Sequence, residues 1–376
     1  LFMGELKKRY GLFTAICMVV GIVIGSGVFF KAQAILEKTN GNMLQGILAW
    51  IIGGIIMIFC ILAFSVLAQK YEKVNGVVDY AEMTIGSKYG YYIGWFMTVL
   101  YYPTMTSVLA WLSARYLLTF VCTANPDFGM YIGVDKGGAV FGPETMVLAC
   151  FFLVLSFAIN ALSPKIAGKV QVSTTVIKLI PLLLMAVVGT IYGFTHPVTE
   201  TATETVLQFN FAQPVESWSL LFPAVVATAF AYEGWIIATS INAELKNSKK
   251  NLPIALIVGG IIIIAVYIFY FIGVAGGADV NSLIKTGANV AFLNVFGPTL
   301  GNILNLFVAV SCMGTLNGLM LGCTRGLYSV AVRGFGPKAK IFSQVDKETN
   351  MPVNSAVVAA LLTAFWLVYF FGANLF

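Results

Sequence analysis

Two ionisable side chains lie deep inside long apolar stretches of the sequence. Glu233 is the only acidic residue near the centre of such a stretch, and Lys178 lies about nine residues into another, roughly 13 Å along a helix. An unpaired charge at the centre of a lipid bilayer costs at least ~2.5 kcal/mol, so we expect both groups to face a cavity or a polar partner. The alternative for Glu233 is a protonated carboxyl group that is hydrogen-bonded inside the protein.

A glycine-rich run interrupts the first apolar stretch. Residues 21–29 read GIVIGSGVF, in which two glycines four residues apart are typical of close helix packing. Packing alone would explain that pair, but Ser26 and Gly27, which follow it, are poor helix formers. Such a run can leave backbone N–H groups free to bind an anion. Residues 230–235 (FAYEGW) form a second interruption in a later apolar stretch.

The composition indicates what kind of protein must position these residues. Of the 376 residues, 59% are hydrophobic and 10% are charged, and the mean hydropathy is +0.88. Soluble proteins carry about 25% charged residues, so this chain has too few for a water-facing surface. Apolar segments of about 20 residues indicate transmembrane helices, and no segment alternates as barrel strands do, so we predict an all-α polytopic membrane protein. Its nine predicted spans are residues 12–36, 43–69, 87–121, 144–163, 169–194, 217–243, 252–276, 299–331 and 353–373.

Lysine and arginine residues predict the orientation of the nine spans. If the N-terminus is cytoplasmic, fifteen of them lie in cytoplasmic segments, and three, Lys38, Lys136 and Lys285, lie in outer loops. This asymmetry follows the positive-inside rule and predicts a cytoplasmic N-terminus in the plasma (inner) membrane. The net charge of +6 is therefore explained by topology rather than by nucleic-acid binding.

The two interruptions fall in the first and sixth predicted spans. A repeat of five helices crosses the membrane an odd number of times, so its second copy must enter the membrane from the opposite side. Broken helices at matching positions of such inverted repeats indicate a substrate site at the bilayer midplane, which secondary transporters need and a channel or receptor does not. We predict one transporter domain, with a first repeat at residues 1–195 and a second, incomplete repeat at residues 196–376.

Five motifs resemble those of one group of transporters. Residues 25–29 (GSGVF) resemble the GSGIF motif of the amino acid–polyamine–organocation superfamily. The other motifs resemble its L-type amino acid transporter family, in particular bacterial members that exchange small neutral amino acids or serine and threonine. The resemblance implies a LeuT-like 5+5 inverted repeat with discontinuous helices 1 and 6, usually within twelve helices, so we expect further helices after residue 376. The motifs of the L-type family are residues 178–181 (KLIP), residues 230–235 with Glu244, residues 251–253 (NLP) and residues 314–318 (GTLNG).

An α-amino acid presents a carboxylate, an ammonium group and a side chain to its site. The carboxylate suits the N–H groups of Ser26 and Gly27, where the second half of the broken first span begins and its helix dipole is positive. Gly25 leaves room for a close approach. The ammonium group needs carbonyl acceptors from unwound backbone. The resemblance assigns these acceptors to Val23, Phe230, Ala231 and Glu233.

The resemblance also assigns roles to the side chains of Phe230 and Lys178. Phe230 is expected to close the substrate site from the outside as an aromatic gate, with ordinary core packing as the alternative. Glu233 departs from relatives that carry glycine or aspartate at this position, and we expect its side chain to favour a small or polar substrate over a bulky apolar one. Lys178 is expected to occupy the place where sodium-coupled relatives hold an ion and to tie the fifth span to the first, which implies sodium independence. A buried lysine could instead take part in proton coupling.

These features predict a sodium-independent exchanger of neutral L-amino acids, small ones such as alanine, serine or threonine, that works by alternating access. The alternative is a proton-coupled symporter of amino acids or polyamines with the same fold. A membrane enzyme or a channel has no positive support, since an enzyme would need a nucleophile with its base, or a metal cluster. The single histidine, His196, and six scattered cysteines have no metal-ligand spacing, so we expect no catalytic residues, no metal site and no cofactor.

Several other residues are given smaller roles. Arg115 and Arg325 lie near the ends of predicted spans, where we expect their side chains to snorkel to water. Tyr267 and Asn317 could line the cavity, or Asn317 could tie helices together. Cys122 follows the third span, in a loop whose cysteine bonds an accessory glycoprotein in animal relatives. We expect a free thiol here and no accessory subunit.

Overall fold

The computed structural model describes residues 2–3, 6–125 and 142–375, so the predicted outer-loop residue Lys136 lies outside the described residues. The described chain is mostly helical, with two short strands, Phe2–Met3 and Gln344–Val345, that pair antiparallel. Eight of its helices are long and apolar enough to cross a membrane, and one bent pair of helices makes a ninth span. Spans 1 to 9 are Leu12–Val23 with Gly27–Lys38, Met43–Lys70, Ser87–Ala124, Pro143–Leu162, Pro164–Thr195, Trp218–Glu244, Ser248–Gly277, Ala288–Ala331 and Val353–Leu375.

The observed spans agree with the predicted ones except at their ends. The largest difference is in span 8, which begins at Ala288 instead of residue 299 and continues through a kink. Gly297 has φ 77° there and is followed by Pro298, a pair of residues that is typical of a helix boundary. Spans 3 and 5 each contain a π-helical turn, Phe96–Tyr101 and Met185–Gly189 respectively. Short helices outside the spans are Gly76–Thr84, Val206–Phe211, Val280–Thr286 and Ala339–Phe342.

Both predicted interruptions are breaks in the helical backbone. Span 1 ends its first helix at Val23 and begins its second at Gly27, and the two axes differ by 44°. Span 6 tightens into a 3₁₀ turn and is then extended at Glu233 (φ −79°, ψ 156°). Gly234 follows with φ 107°, a conformation that glycine adopts at low cost and other residues do not. The segments of span 6 are Trp218–Leu220, Leu221–Thr228, Ala229–Tyr232 and Trp235–Glu244.

The broken spans lie inside the bundle. Span 1 packs against spans 5, 6, 7 and 8, and span 8 packs against spans 3, 4, 5 and 9. Large apolar side chains such as Phe59, Val147 and Phe222 point outward and are at least two-thirds exposed. An apolar outer surface of this extent suits a lipid environment rather than water. The helical membrane architecture and the broken spans 1 and 6 predicted from the sequence are therefore confirmed.

Candidate functional site

The breaks of spans 1 and 6 lie against each other. A Cβ atom built on Gly27 would lie 3.1 Å from the Cα atom of Ala231 and 3.4 Å from Cδ1 of Phe230. A Cβ atom built on Gly234 would lie 3.3 Å from Cγ2 of Ile22. Glycine on each break therefore permits the close approach of the other break, and the fold brings these predicted site residues together.

The second half of span 1 begins with two backbone donors. Among the described residues, none accepts a hydrogen bond from the N–H groups of Ser26 or Gly27. Both residues are buried, and the donors lie at the positive end of the helix Gly27–Lys38. A buried N–H group is costly to leave unpaired, which favours a ligand or a water molecule as its partner. This end of the helix can bind an anionic group.

Tyr267 of span 7 joins the two breaks. Its hydroxyl group lies 2.8 Å from the carbonyl oxygen of Ala231 and 3.3 Å from that of Val23. A hydroxyl group donates one hydrogen, whereas each carbonyl oxygen can accept two. The Val23 carbonyl oxygen also accepts from the N–H of Gly25 (2.8 Å), and the hydroxyl group lies nearer to the Ala231 carbonyl oxygen. When the hydroxyl group donates to Ala231, both carbonyls, which we predicted as ammonium acceptors, can accept one further hydrogen bond. The Tyr267 ring is fully buried and packs against Trp50 and Tyr232, with ring centroids 5.1 and 5.2 Å away.

Phe230 lies on the break of span 6 and is not a core side chain. Its ring is 47% exposed, and the Lys31 ammonium group lies 5.5 Å from the ring centroid. A cation over an aromatic face at this distance is weakly attracted to it.

Glu233 occupies the extended residue of the span 6 break. One of its carboxyl oxygens, Oε1, is buried and has no hydrogen-bond partner among the described residues. The neighbouring Gly234 contacts the first half of span 1. Glu233 thus lies on the span 6 break and has a polar atom available for a ligand.

Lys178 lies in the interior of the protein, between spans 1, 5 and 8. Its ammonium group donates to the carbonyl oxygens of Gly21 (2.7 Å) and Ile24 (2.6 Å) at the end of the first half of span 1. It also donates to the carbonyl oxygen of Ser311 (3.0 Å) and lies 3.4 Å from Oγ1 of Thr315, both on span 8. The last carbonyls of a helix lack intrahelical partners and carry its negative dipole, so they attract a cation. The Lys178 side chain fills a site of four oxygen atoms.

The hydroxyl groups of span 8 complete this oxygen site. Ser311 Oγ lies 3.2 Å from the carbonyl oxygens of Ile24 and Gly25, and Thr315 Oγ1 lies 3.2 Å from that of Gly21. Spans 5 and 8 therefore hold the broken end of span 1 through several hydrogen bonds. The sequence did not identify Ser311, because one serine in an apolar helix gives no signal of its own. Its place four residues before Thr315, on the same helix face, is the signal that was available.

Asn317 ties helices together, and the hydrogen bonds of its side chain go to spans 4 and 5 rather than to the breaks. Its side chain donates to Oε1 of Gln171 (2.9 Å) and the carbonyl oxygen of Ala167 on span 5, and accepts from Nδ2 of Asn160 on span 4 (2.9 Å). Of the two roles considered for Asn317, the structure shows the one in helix packing.

Arg325 is fully buried, so the prediction that it snorkels to water is wrong. Its guanidinium group binds both carboxyl oxygens of Glu244, with Nη2 2.9 Å from Oε2 and Nε on Oε1. Nη1 donates to the carbonyl oxygen of Leu321 (2.8 Å). Burial is possible because Glu244, at the end of span 6, supplies the opposite charge. The sequence predicts that both residues lie on the same side of the membrane, and this was the only sequence feature that could have indicated their ion pair.

Tyr10 closes the same end of the protein. Its backbone N–H donates to the carbonyl oxygen of Glu244 (3.1 Å), and its own carbonyl accepts from the N–H of Lys246 (2.9 Å). Its hydroxyl group donates to the carbonyl oxygen of Pro164 at the start of span 5 (3.1 Å). The chain before span 1 is thus attached to spans 5 and 6.

The cysteines and potential metal ligands show no second site in the described residues. All six cysteines are free thiols, and Cys122 at the end of span 3 is buried. In the described part of the chain, no three or more His, Cys, Asp or Glu side chains are grouped so that they could hold a metal ion.

Known proteins similar in sequence are amino acid transporters. The family model for amino acid permeases matches residues 10–376. The serine/threonine exchanger SteT of Bacillus subtilis (strain 168) is 31% identical over 350 residues, which cover 92% of this chain and 73% of that protein. The large neutral amino acids transporter small subunit 2 of Homo sapiens is 27% identical over 356 residues, which cover 92% of this chain. This chain spans 62% of the length of that human relative.

Two solved structures share the fold at low sequence identity. The crystal structure of MhsT in complex with L-phenylalanine matches 97% of this chain and 80% of its own, with a TM-score of 0.63 and 13% identity. The structure of Mhp1, a nucleobase-cation-symport-1 family transporter, matches 98% of this chain and 77% of its own, with a TM-score of 0.58 and 16% identity. The fold is the LeuT-like inverted repeat. The chain belongs to the amino acid permease family of the amino acid–polyamine–organocation superfamily.

Proposed function

We propose that this protein is a sodium-independent exchanger of small neutral L-amino acids, such as alanine, serine or threonine, that works by alternating access. The observation that carries the proposal is the contact of two broken helices, which places free N–H donors beside carbonyl acceptors. An α-amino acid has a carboxylate that can accept from the N–H donors and an ammonium group that can donate to the carbonyl acceptors. The likeness to a serine/threonine exchanger supports a small polar substrate. We also propose that the protein is a transporter and not an enzyme.

In the proposed complex the amino acid binds mainly to backbone atoms. Its carboxylate accepts from the N–H groups of Ser26 and Gly27, and Gly25 gives it room. The Phe230 ring closes over the substrate from the outside, and the Glu233 side chain selects against bulky apolar substrates. The carbonyl acceptors of the substrate ammonium group are those of Val23, Phe230, Ala231 and Glu233.

Sodium independence is proposed from the oxygen site that Lys178 fills. An ammonium group there provides the positive charge that a bound cation would otherwise supply to the end of the first half of span 1. Because the lysine is covalently attached, its charge does not depend on the sodium concentration on either side of the membrane.

We place the protein in the plasma (inner) membrane with a cytoplasmic N-terminus, and we propose that residues 1–195 and 196–376 belong to two repeats of opposite orientation. The Lys and Arg asymmetry between the loops supports the orientation.

We also propose that the chain works without an accessory subunit. The burial of Cys122 supports this, because a buried thiol is poorly placed to form an intermolecular disulfide.

Substrate analogues test the proposed binding mode. The purified full-length protein, alone in proteoliposomes preloaded with serine, is expected to take up labelled serine in competition with each of the twenty amino acids. Serine methyl ester lacks the carboxylate and N-acetylserine lacks the ammonium group, so both should compete at least tenfold more weakly than serine. Equal competition by either analogue would show that the two breaks do not recognise that group.

A second candidate is a proton-coupled symporter of amino acids or polyamines. The unpaired Oε1 atom of Glu233 and the buried Lys178 ammonium group favour it, because both are ionisable groups close to the breaks. A symporter would accumulate substrate in empty liposomes when only a pH gradient is applied. An exchanger requires substrate on the far side, so it should show no such accumulation.

A further inference from the structure

A cavity of about 700 Å³ lies at the end of the protein that carries the N-terminus. It is bounded by the segment before span 1, the first turns of span 5 and the loop after span 6, and it reaches Thr14, roughly 13 Å along span 1 from the break. None of its ten lining residues is acidic, so its potential is strongly positive. Its basic residues are Lys8, Arg9 and three lysines that we call the lysine triad, Lys165, Lys169 and Lys246.

Neighbouring groups neutralise only part of this charge. Lys8 forms an ion pair with Glu72, and the Arg9 guanidinium group donates to the carbonyl oxygen of Thr349 (2.9 Å). The lysine triad is exposed, and its ammonium groups make no ion pair or hydrogen bond within the ranges that the structure describes. Span 5 begins here with no acidic residue in its first turn, so its positive dipole adds to the charge. The cavity is thus suited to an anion.

Apolar side chains next to the lining residues place the cavity at the membrane boundary. Phe13, beside Thr14, is 65% exposed, and Ile166, beside Lys165, is 51% exposed. Val176, one turn after the lining residues of span 5, is also 51% exposed. In a bilayer these exposed side chains contact acyl chains, so the cavity opens beside the lipid and is within reach of its headgroups.

We infer that this cavity binds the phosphate headgroup of an anionic phospholipid from the cytoplasmic leaflet. The lysine triad supplies the main contacts to the phosphate, and Arg9 borders the same space. Basic pockets between helices on the cytoplasmic side of a membrane protein are suited to such headgroups, because anionic lipids are concentrated in that leaflet. The neutral amino acid of the proposed function does not need this charge, so the cavity is a separate site.

A headgroup in the cavity would contact three segments that Tyr10 already holds together. The lysine triad lies on span 5 and after span 6, and Lys8 and Arg9 precede span 1. These segments must separate if the first half of span 1 is to open toward the cytoplasm, so the lipid favours the closed cytoplasmic side. This consequence rests on the proposed function, whereas the binding itself does not.

Native mass spectrometry of the full-length protein, titrated with phosphatidylglycerol or phosphatidylcholine, tests the binding. We expect selective binding of phosphatidylglycerol. Replacing the lysine triad by glutamine should weaken it by about fivefold per lysine, or about a hundredfold in all, and replacement by arginine should preserve it. The matched control replaces three exposed lysines outside the cavity by glutamine and should leave binding unchanged: Lys70, Lys340 and Lys347.

Three results would overturn the inference. These are equal binding of the two lipids, equal weakening by the control and triad variants, and occupancy by inorganic phosphate alone with no competition from the lipid. The last result would assign the cavity to a soluble anion. If the triple glutamine variant does not fold, the single variants Lys165→Gln and Lys169→Gln decide the outcome, because each should weaken binding by about fivefold.

Discussion

At the residue scale, the Lys178 ammonium group is held by oxygen atoms from segments far apart in the sequence. Its depth in an apolar helix predicted a polar environment, because an unpaired charge there is too costly. Its acceptors on span 8 could not be predicted from the residues alone, since they depend on how spans 5 and 8 pack. The same holds for Tyr267, whose hydroxyl group joins two breaks that are more than 200 residues apart.

The variant Lys178→Ala tests the role of the ammonium group. It removes the charged donor to the carbonyl oxygens of Gly21 and Ile24 and leaves them only the hydroxyl groups of span 8, and a hydrogen bond to a charged group is worth about 1.5–3 kcal/mol. We expect exchange in proteoliposomes to slow by about tenfold or to differ between the two faces of the membrane, and the melting temperature to fall. The exposed Lys340→Ala variant is the control, and an unchanged exchange rate in Lys178→Ala would exclude the proposed role.

The variant Tyr267→Phe removes one hydroxyl group and keeps the buried ring. The carbonyl oxygen of Ala231 loses its 2.8 Å hydrogen bond, which is worth about 0.5–1.5 kcal/mol. We expect KM for the exchanged amino acid to change by about threefold to tenfold, because this carbonyl is a proposed ammonium acceptor. Tyr369→Phe, on an exposed ring of span 9, is the control. Equal KM values for both variants and the unaltered protein would separate Tyr267 from substrate binding.

At the element scale, hydropathy predicted the spans and weak helix formers predicted the breaks in spans 1 and 6. The contacts between side chains of different spans could not be predicted in the same way. Arg325 illustrates this, because a charged residue near a span end usually reaches water. Only the structure shows that the end of span 6 brings Glu244 to it. Side chains that contact a distant element are the part of the site that sequence patterns miss.

The variant Gly27→Ala tests the contact between the two breaks. Its Cβ atom would lie 3.1 Å from the Cα atom of Ala231, where backbone atoms must move to relieve the overlap. We expect loss of most substrate affinity in a binding titration, because the donors on span 1 and the acceptors on span 6 are pushed apart. Gly372→Ala in span 9 is the control, since no heavy atom lies within 4 Å of its added Cβ. Full affinity in Gly27→Ala would show that the contact is not needed for binding.

A double-mutant cycle tests the buried ion pair at the ends of spans 6 and 8. Arg325→Met alone leaves the Glu244 carboxylate buried without its partner and should cost about 3–5 kcal/mol in the free energy of unfolding. Combining it with Glu244→Leu should recover most of that loss, because a buried pair can often be replaced by apolar residues at little cost. Additive losses in denaturant unfolding would show that the two charges do not stabilise each other.

The exposed ion pair between Lys8 and Glu72 is the matched control for that cycle. Exposed pairs contribute about 0–1 kcal/mol, so Lys8→Ala should have a small effect on stability. A loss in Lys8→Ala as large as that in Arg325→Met would show that burial is not the source of the difference.

At the scale of the whole molecule, charge-poor composition predicted a membrane protein, and the five-span interval between breaks predicted an inverted repeat. Both features follow from the physics of the bilayer, which restricts spanning segments to apolar helices and leaves irregular backbone only where a cavity needs it. The fold agrees with the solved structures of MhsT and Mhp1, whereas the substrate and the coupling ion are not determined by the fold.

Counterflow of labelled serine in proteoliposomes tests the central claim most directly. The purified full-length protein is reconstituted alone, with or without unlabelled serine inside, and with sodium or choline as the external cation. We predict fast uptake only into preloaded liposomes, at the same rate in sodium and in choline. Uptake into empty liposomes driven by a sodium gradient, or no uptake of any amino acid in either format, would contradict it.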